Sequence, residues 1–214
     1  KSTPAEPVAR LNDHLYAVFL LNTHIGWAVG SFGVILHTRD GGKEWHKQDS
    51  QQIEPLYGVS FVNGKEGWIC GKSGIILHTT NGGTTWWQQV SGTAHHLFNI
   101  DFLDNQRGIA VGDFGTILQT ADGGKTWTDR SIDEEVFLYD VSMHQSGKVW
   151  VAGETGAVLV SEDGGTSWRK RDTGSKSSLL GVSFRDAHAG CAVGMNGVIV
   201  QSADSGQTWQ HYKS

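Results

Sequence analysis

Every 41 residues the chain returns to the same succession of apolar and polar positions, and five such units fill residues 15–214 with no insertion between them. Each opens on a leucine: Leu15, Leu56, Leu97, Leu138 and Leu179. Leu56-Tyr57-Gly58-Val59-Ser60-Phe61 and Leu97-Phe98-Asn99-Ile100-Asp101-Phe102 alternate in the way that predicts a first strand. Its intervening positions are small or short (Gly58, Ser60, Asp140, Gly181, Ser183), which suits a place where neighbouring sheets converge. A second strand runs Gly26–Gly30 and recurs at 67–71, 108–112, 149–153 and 190–194. A Gly-x-x-Gly joint follows, read as a hairpin turn at positive φ. The third strand, Val34 to Thr38 and its copies, is almost continuously apolar, as expected when both faces are covered. The fourth begins at a tryptophan and is polar and mixed in charge, the dress of an outer edge.

Between third and fourth strands lies the most regular stretch, Ser/Thr-x-Asp/Asn-Gly-Gly-x-x-Trp. Its acceptor is Asp40, Asn81, Asp122, Asp163 or Asp204, and its tryptophan is Trp45, Trp86, Trp127, Trp168 or Trp209; the last copy replaces the first glycine with Ser205. A short carboxylate or amide there can accept N–H groups of its own turn. Because Asn81 serves as well as aspartate, the role is structural rather than catalytic. Each tryptophan, worth about 2–3 kcal/mol of burial, is expected to wedge between adjacent sheets.

A four-stranded antiparallel sheet with two apolar faces must stack on copies of itself, and repeats of this length form β-propellers. The fold class predicted is therefore all-β, a five-bladed propeller with blades 15–55, 56–96, 97–137, 138–178 and 179–214 after an N-terminal lead, 1–14. The alternatives are a piece of a six- or seven-bladed ring or an open stack. Residues 4–9 align with a fourth strand preceding the first repeat.

The composition narrows the function. With 18% charged residues and a net charge of -5 the chain lacks the basic character of sequence-independent nucleic-acid binders, so nucleic acid is not expected as a partner. No apolar stretch reaches the ~20 residues of a membrane-spanning helix. The polar, Pro-containing start resembles a trimmed N-terminus, so an exported, periplasmic location with a removed signal is the expectation. Cys70 and Cys191 sit in apolar runs three repeats apart and read as buried free thiols, a disulfide or metal pair being the lesser reading.

The repeated stretch looks like the Asp box of sialidase-type propellers. Taken with Leu-Tyr-x-Val-x-Phe, Gly-Trp-x-Val-Gly and Gly-x-Ile-Leu-x-Thr, it resembles the photosystem II stability/assembly factor family and its bacterial relatives, over residues 15–214. That resemblance implies a non-enzymatic propeller, without cofactor, that binds a protein partner in the assembly of a membrane complex. Family members in phototrophs are usually seven-bladed and carry an arginine patch; here there are five units and scattered arginines. A sialidase-like or other carbohydrate-directed propeller is the second reading. It would need three converging arginines, yet Arg107 and Arg185 fall in first-to-second-strand loops, Arg39 before the box, and Arg130, Arg169 and Arg171 on outer strands; Arg10 is unplaced. The binding mouth is expected at the other end, where the blade-to-blade connections gather Glu54, His95, His96, Glu134 and Glu135, joined by Phe114 and, near the axis, Asp101 and Asp140. No metal is expected, because the adjacent His95 and His96 lack ligand-pair spacing.

Overall fold

The computed structural model describes residues 13–212; the predicted strand at 4–9 and Arg10 lie outside them. The first blade is β1 (Leu15–Leu20), β2 (Gly26–Gly30), β3 (Ile35–Thr38) and β4 (His46–Gln48). The second is β5 (Leu56–Phe61), β6 (Gly67–Gly71), β7 (Ile76–Thr79) and β8 (Trp87–Gln89). The third is β9 (Leu97–Phe102), β10 (Gly108–Gly112), β11 (Ile117–Thr120) and β12 (Thr128–Asp129). The fourth is β13 (Leu138–Met143), β14 (Val149–Gly153), β15 (Ala157–Ser161) and β16 (Arg169–Asp172), and the fifth β17 (Leu179–Phe184), β18 (Gly190–Gly194), β19 (Ile199–Ser202) and β20 (Gln210–Tyr212). Every sheet is antiparallel and ordered as in the chain. The five-bladed, all-β reading is what the structure shows.

The cores lie between blades. One face of a blade, such as Trp27, Val29 and Ile35, packs on Leu56, Val59 and Phe61 of the next. The wedge itself comes chiefly from the second strand. Trp27, Trp68 and Trp150 are fully buried and stack on Phe61, Phe102 and Phe184 of the following blade with centroids 3.5, 3.6 and 3.7 Å apart. Their indole N–H groups donate to box carbonyls of that blade, Gly82, Gly123 and Ser205, at 3.4, 3.1 and 2.9 Å. The box tryptophans are less enclosed, except Trp86, and three of them, Trp86, Trp127 and Trp209, stand edge-on to the same phenylalanines.

Inside each box the threonine or serine and the aspartate, or Asn81 in the second, divide the turn's N–H groups. Thr38 Oγ1 accepts Gly42 N at 2.9 Å, and Asp40 Oδ1 accepts Lys43 N and Glu44 N at 3.0 Å. Both glycines stand at positive φ, and Ser205 takes the same conformation at +69°. The Gly-x-x-Gly joint departs from expectation in one respect. Its second glycine has positive φ, but so does the residue before it (Phe32, Ser73, Phe114, Thr155, Asn196), while the first glycine is extended. What excludes a side chain from that first position is space: a Cβ on Gly112 would stand 1.8 Å from His96 O of the inner strand's approach.

The inner strands pack in series, β1 on β5, β5 on β9, β9 on β13 and β13 on β17. Among the described residues, no strand packs on the two end faces. Leu15, Val18 and Leu20 are exposed on the first blade, and Val193 and Gln201 are exposed on the fifth. Cys191, expected to be buried like Cys70, is therefore half-exposed, and both thiols are free.

Candidate functional site

The inner strands carry one irregularity, repeated five times. Leu56 pairs with Gly71 and Gly58 with Cys70, so Tyr57 is an extra residue, a β-bulge; the same shift leaves Tyr16, Phe98, Tyr139 and Leu180 unpaired. A bulge re-aims its side chain, and here it keeps Leu56 and Val59 on one buried face although they are three residues apart. The displaced rings meet across blades. Tyr16 and Tyr57 lie 5.5 Å apart, Tyr57 and Phe98 5.9 Å, and Phe98 and Tyr139 5.9 Å. Phe137 joins Phe98 and Tyr139, and Phe114 and His95 extend the cluster outward. The result is an aromatic arc at the mouth end, with Phe114 50% and Tyr16 48% exposed at its borders.

Acidic groups flank the arc. Glu54 pairs with Lys72 at 2.8 Å beside Tyr57. Glu154 accepts Phe137 N at 3.0 Å and, with burial as the larger cause, raises the pKa of the Tyr139 phenol. Asp113 is buried; its Oδ1 accepts no hydrogen bond, and His95 Nδ1 stands 3.4 Å away. His95, Phe114, Trp127 and Asp129 border a recess of about 460 Å³ between the second and third blades.

The expected mouth residues separate into three groups. His95 and Phe114 adjoin the arc, and His96 accepts Ser73 N through Nδ1 at 3.1 Å. Glu134 reaches the outer strand, where it meets Lys170 Nζ at 2.5 Å, and Glu135 is exposed. Asp101 and Asp140 lie along the axis with their oxygens engaged by neighbouring blades: Asp101 Oδ2 accepts Met143 N of the next blade at 2.8 Å, and Asp140 Oδ2 accepts Val182 N of the next blade at 2.7 Å while Oδ1 takes the Asn99 amide of the preceding one. Burial raises the pKa of both, that of Asp140 to about 6. Tyr57, Phe98 and Tyr139 escaped selection from the sequence. The signal was the three-residue interval between Leu56 and Val59, which strict alternation forbids.

The model of the photosynthesis system II assembly factor YCF48 family matches residues 9–94 and 87–176. The chain belongs to the YCF48 family. No curated protein matches the sequence. Among solved structures, YCF48 bound to a D1 peptide is similar at 23% identity and a TM-score of 0.65, covering 94% of this chain and 81% of that one. YCF48 from Cyanidioschyzon merolae is similar at 20% identity and a TM-score of 0.53, covering 96% and 87%. A GH74 enzyme from Niastella koreensis gives 16% identity and a TM-score of 0.76, covering 92% of this chain but only 38% of its own length. At these identities the likeness is one of fold. The site of this YCF48-family chain must therefore be argued from its own residues. Among the described residues there is no cluster of three or more potential metal ligands and no helix long and apolar enough to cross a membrane.

Proposed function

We propose that this protein is a non-enzymatic scaffold that holds a segment of a protein partner against its mouth during assembly or stabilisation of a membrane-associated complex, and that it acts outside the cytoplasm. The observation that carries the reading is the aromatic arc: five bulges turn Tyr16, Tyr57, Phe98, Tyr139 and Leu180 out of the sheets toward one surface. Contiguous exposed apolar and aromatic surface rimmed by charge is the usual dress of a protein-binding face. The peptide held by the related YCF48 supports a polypeptide as occupant. Arg107 and Arg185 are held by Asp104 and Asp186 in their own turns, which disfavours a sialidase-like carboxylate clamp.

Co-purification from native membranes tests this. Wild-type protein should recover a membrane protein reproducibly, and Tyr57→Ala/Phe98→Ala/Tyr139→Ala should lose it with its circular dichroism intact. Saturable binding to a glycan panel, with no protein recovered, would instead favour the carbohydrate reading.

A further inference from the structure

Three of the four blade interfaces hold a second-strand indole between blades; the one between the third and fourth does not, and there the box tryptophan Trp168 packs against the core with its own N–H buried and unpartnered. The position of Trp27, Trp68 and Trp150 is occupied there by Ile109, and the phenylalanine opposite is Met143. Ile109 is fully buried but shorter than the residue it replaces. A crevice of about 270 Å³ opens at the Asp-box end of this interface, lined among others by Leu103, Arg107, Gln119, Met143, Asp163 and Gly164. Gln119, Met143 and Gly164 stand where His78, Phe102 and Gly123 enclose Trp68 one interface earlier, the histidine stacked at 4.7 Å on one face and the phenylalanine at 3.6 Å on the other.

The polar contact is vacated as well. Gly82 O and Gly123 O each accept two donors from the preceding blade, the indole N–H and a glutamine amide (Gln48 at 2.8 Å, Gln89 at 2.9 Å). Gly164 O accepts Gln119 Nε2 at 2.7 Å and no indole. A carbonyl has two lone pairs, so one acceptor direction remains at the wall of an otherwise largely apolar crevice.

We propose that this crevice is a slot for a flat aromatic ring bearing an N–H donor, an indole or a close analogue. It lies at the Asp-box end, opposite the mouth, and stands independently of the scaffold reading. The repeat itself points to the occupant, since the residues equivalent to Gln119, Met143 and Gly164 enclose an indole at Trp27 and again at Trp68. Size agrees, because an apolar cavity of roughly 150 Å³ suffices for benzene. The indole belongs either to a free small molecule or to a tryptophan side chain brought by a partner.

The test is titration of the wild-type protein with indole, followed by amide NMR and calorimetry. Saturable binding is expected, with shifts concentrated at Gln119, Met143 and Gly164. Benzofuran, which lacks the N–H, should bind about five- to tenfold more weakly, the worth of one hydrogen bond. N-acetyltryptophanamide separates the sources: binding as tight as that of indole assigns the slot to a side chain, and rejection assigns it to a free ring. Ile109→Trp should fill the slot from within, abolish indole binding and leave the melting temperature unchanged or raised. Absence of saturable shifts up to the solubility of indole, or shifts that map elsewhere, overturns the proposal from the wild-type titration alone.

Discussion

The two ends of each sheet obey different rules. At the Asp-box end, Asp40, Asn81, Asp122, Asp163 and Asp204 all accept hydrogen bonds within their own turns, and four of the five boxes keep both glycines. At the mouth end the repeat keeps a bulge and a ring or leucine upon it, while the connecting loops differ in sequence and in partners. Polar groups at the first end are spent on backbone, so identity there reports folding. Side chains at the second end are turned away from the sheets, so difference there can accumulate without loss of the fold.

That contrast can be broken most severely between blades. Trp68→Ala removes a buried ring stacked on Phe102 and leaves Gly123 O short of a donor; it should cost about 3–5 kcal/mol, read by urea denaturation. A smaller effect comes from the axis. Burial raises Asp140 to about 6 against an unfolded value near 4. The unfolded chain therefore holds fewer protons between those limits, and this residue's contribution to stability falls as pH rises from about 4 to about 6, by at most about 3 kcal/mol. Thermal melts across that window should slope downward with pH, and Asp140→Asn should flatten the slope. Smaller again is the box. Asp163→Ala frees the N–H groups of Thr166 and Ser167 and should lower stability by about 1 kcal/mol with partner recovery unchanged. Hydrogen bonds from the Ser167 hydroxyl and backbone depress Asp163 to about 2, so its stabilisation is complete above pH ~4 and fades below. The smallest change in stability belongs to the arc: Tyr57→Ala should stay within about 1 kcal/mol while weakening recovery of the partner. A large loss of stability from Tyr57→Ala, or of partner binding from Asp163→Ala, would reverse the contrast between the ends.

Much of the architecture was legible because its period is rigid: a tryptophan at 45, 86, 127, 168 and 209 is enough to count the blades. The bulge was written in the same letters, Leu-aromatic-x-Val, but alternation by twos is so strong a prior that Tyr57 and Phe98 passed as ordinary strand residues. The vacated wedge at Ile109 was visible as an exception to Trp27, Trp68 and Trp150, and only packing gave it a volume. The open end faces were legible only in the alternatives, a piece of a larger ring or an open stack, and not in the repeat itself. Leu15 occupies the same repeat position as Leu56, and Val193 the same position as Ala152, yet Leu56 and Ala152 are buried while Leu15 and Val193 are exposed. Periodicity describes what a blade offers, whereas burial depends on whether a neighbour arrives.

The open face of the fifth blade also makes the molecule its own reporter. Cys191 is half-exposed there, while Cys70 is sealed between the second and third blades, where burial drives its thiol far above the ordinary value. Alkylation kinetics on the unmodified chain thus resolve two clocks. The fast thiol registers whatever comes to cover the fifth blade, and the slow one times the parting of two blades deep in the stack.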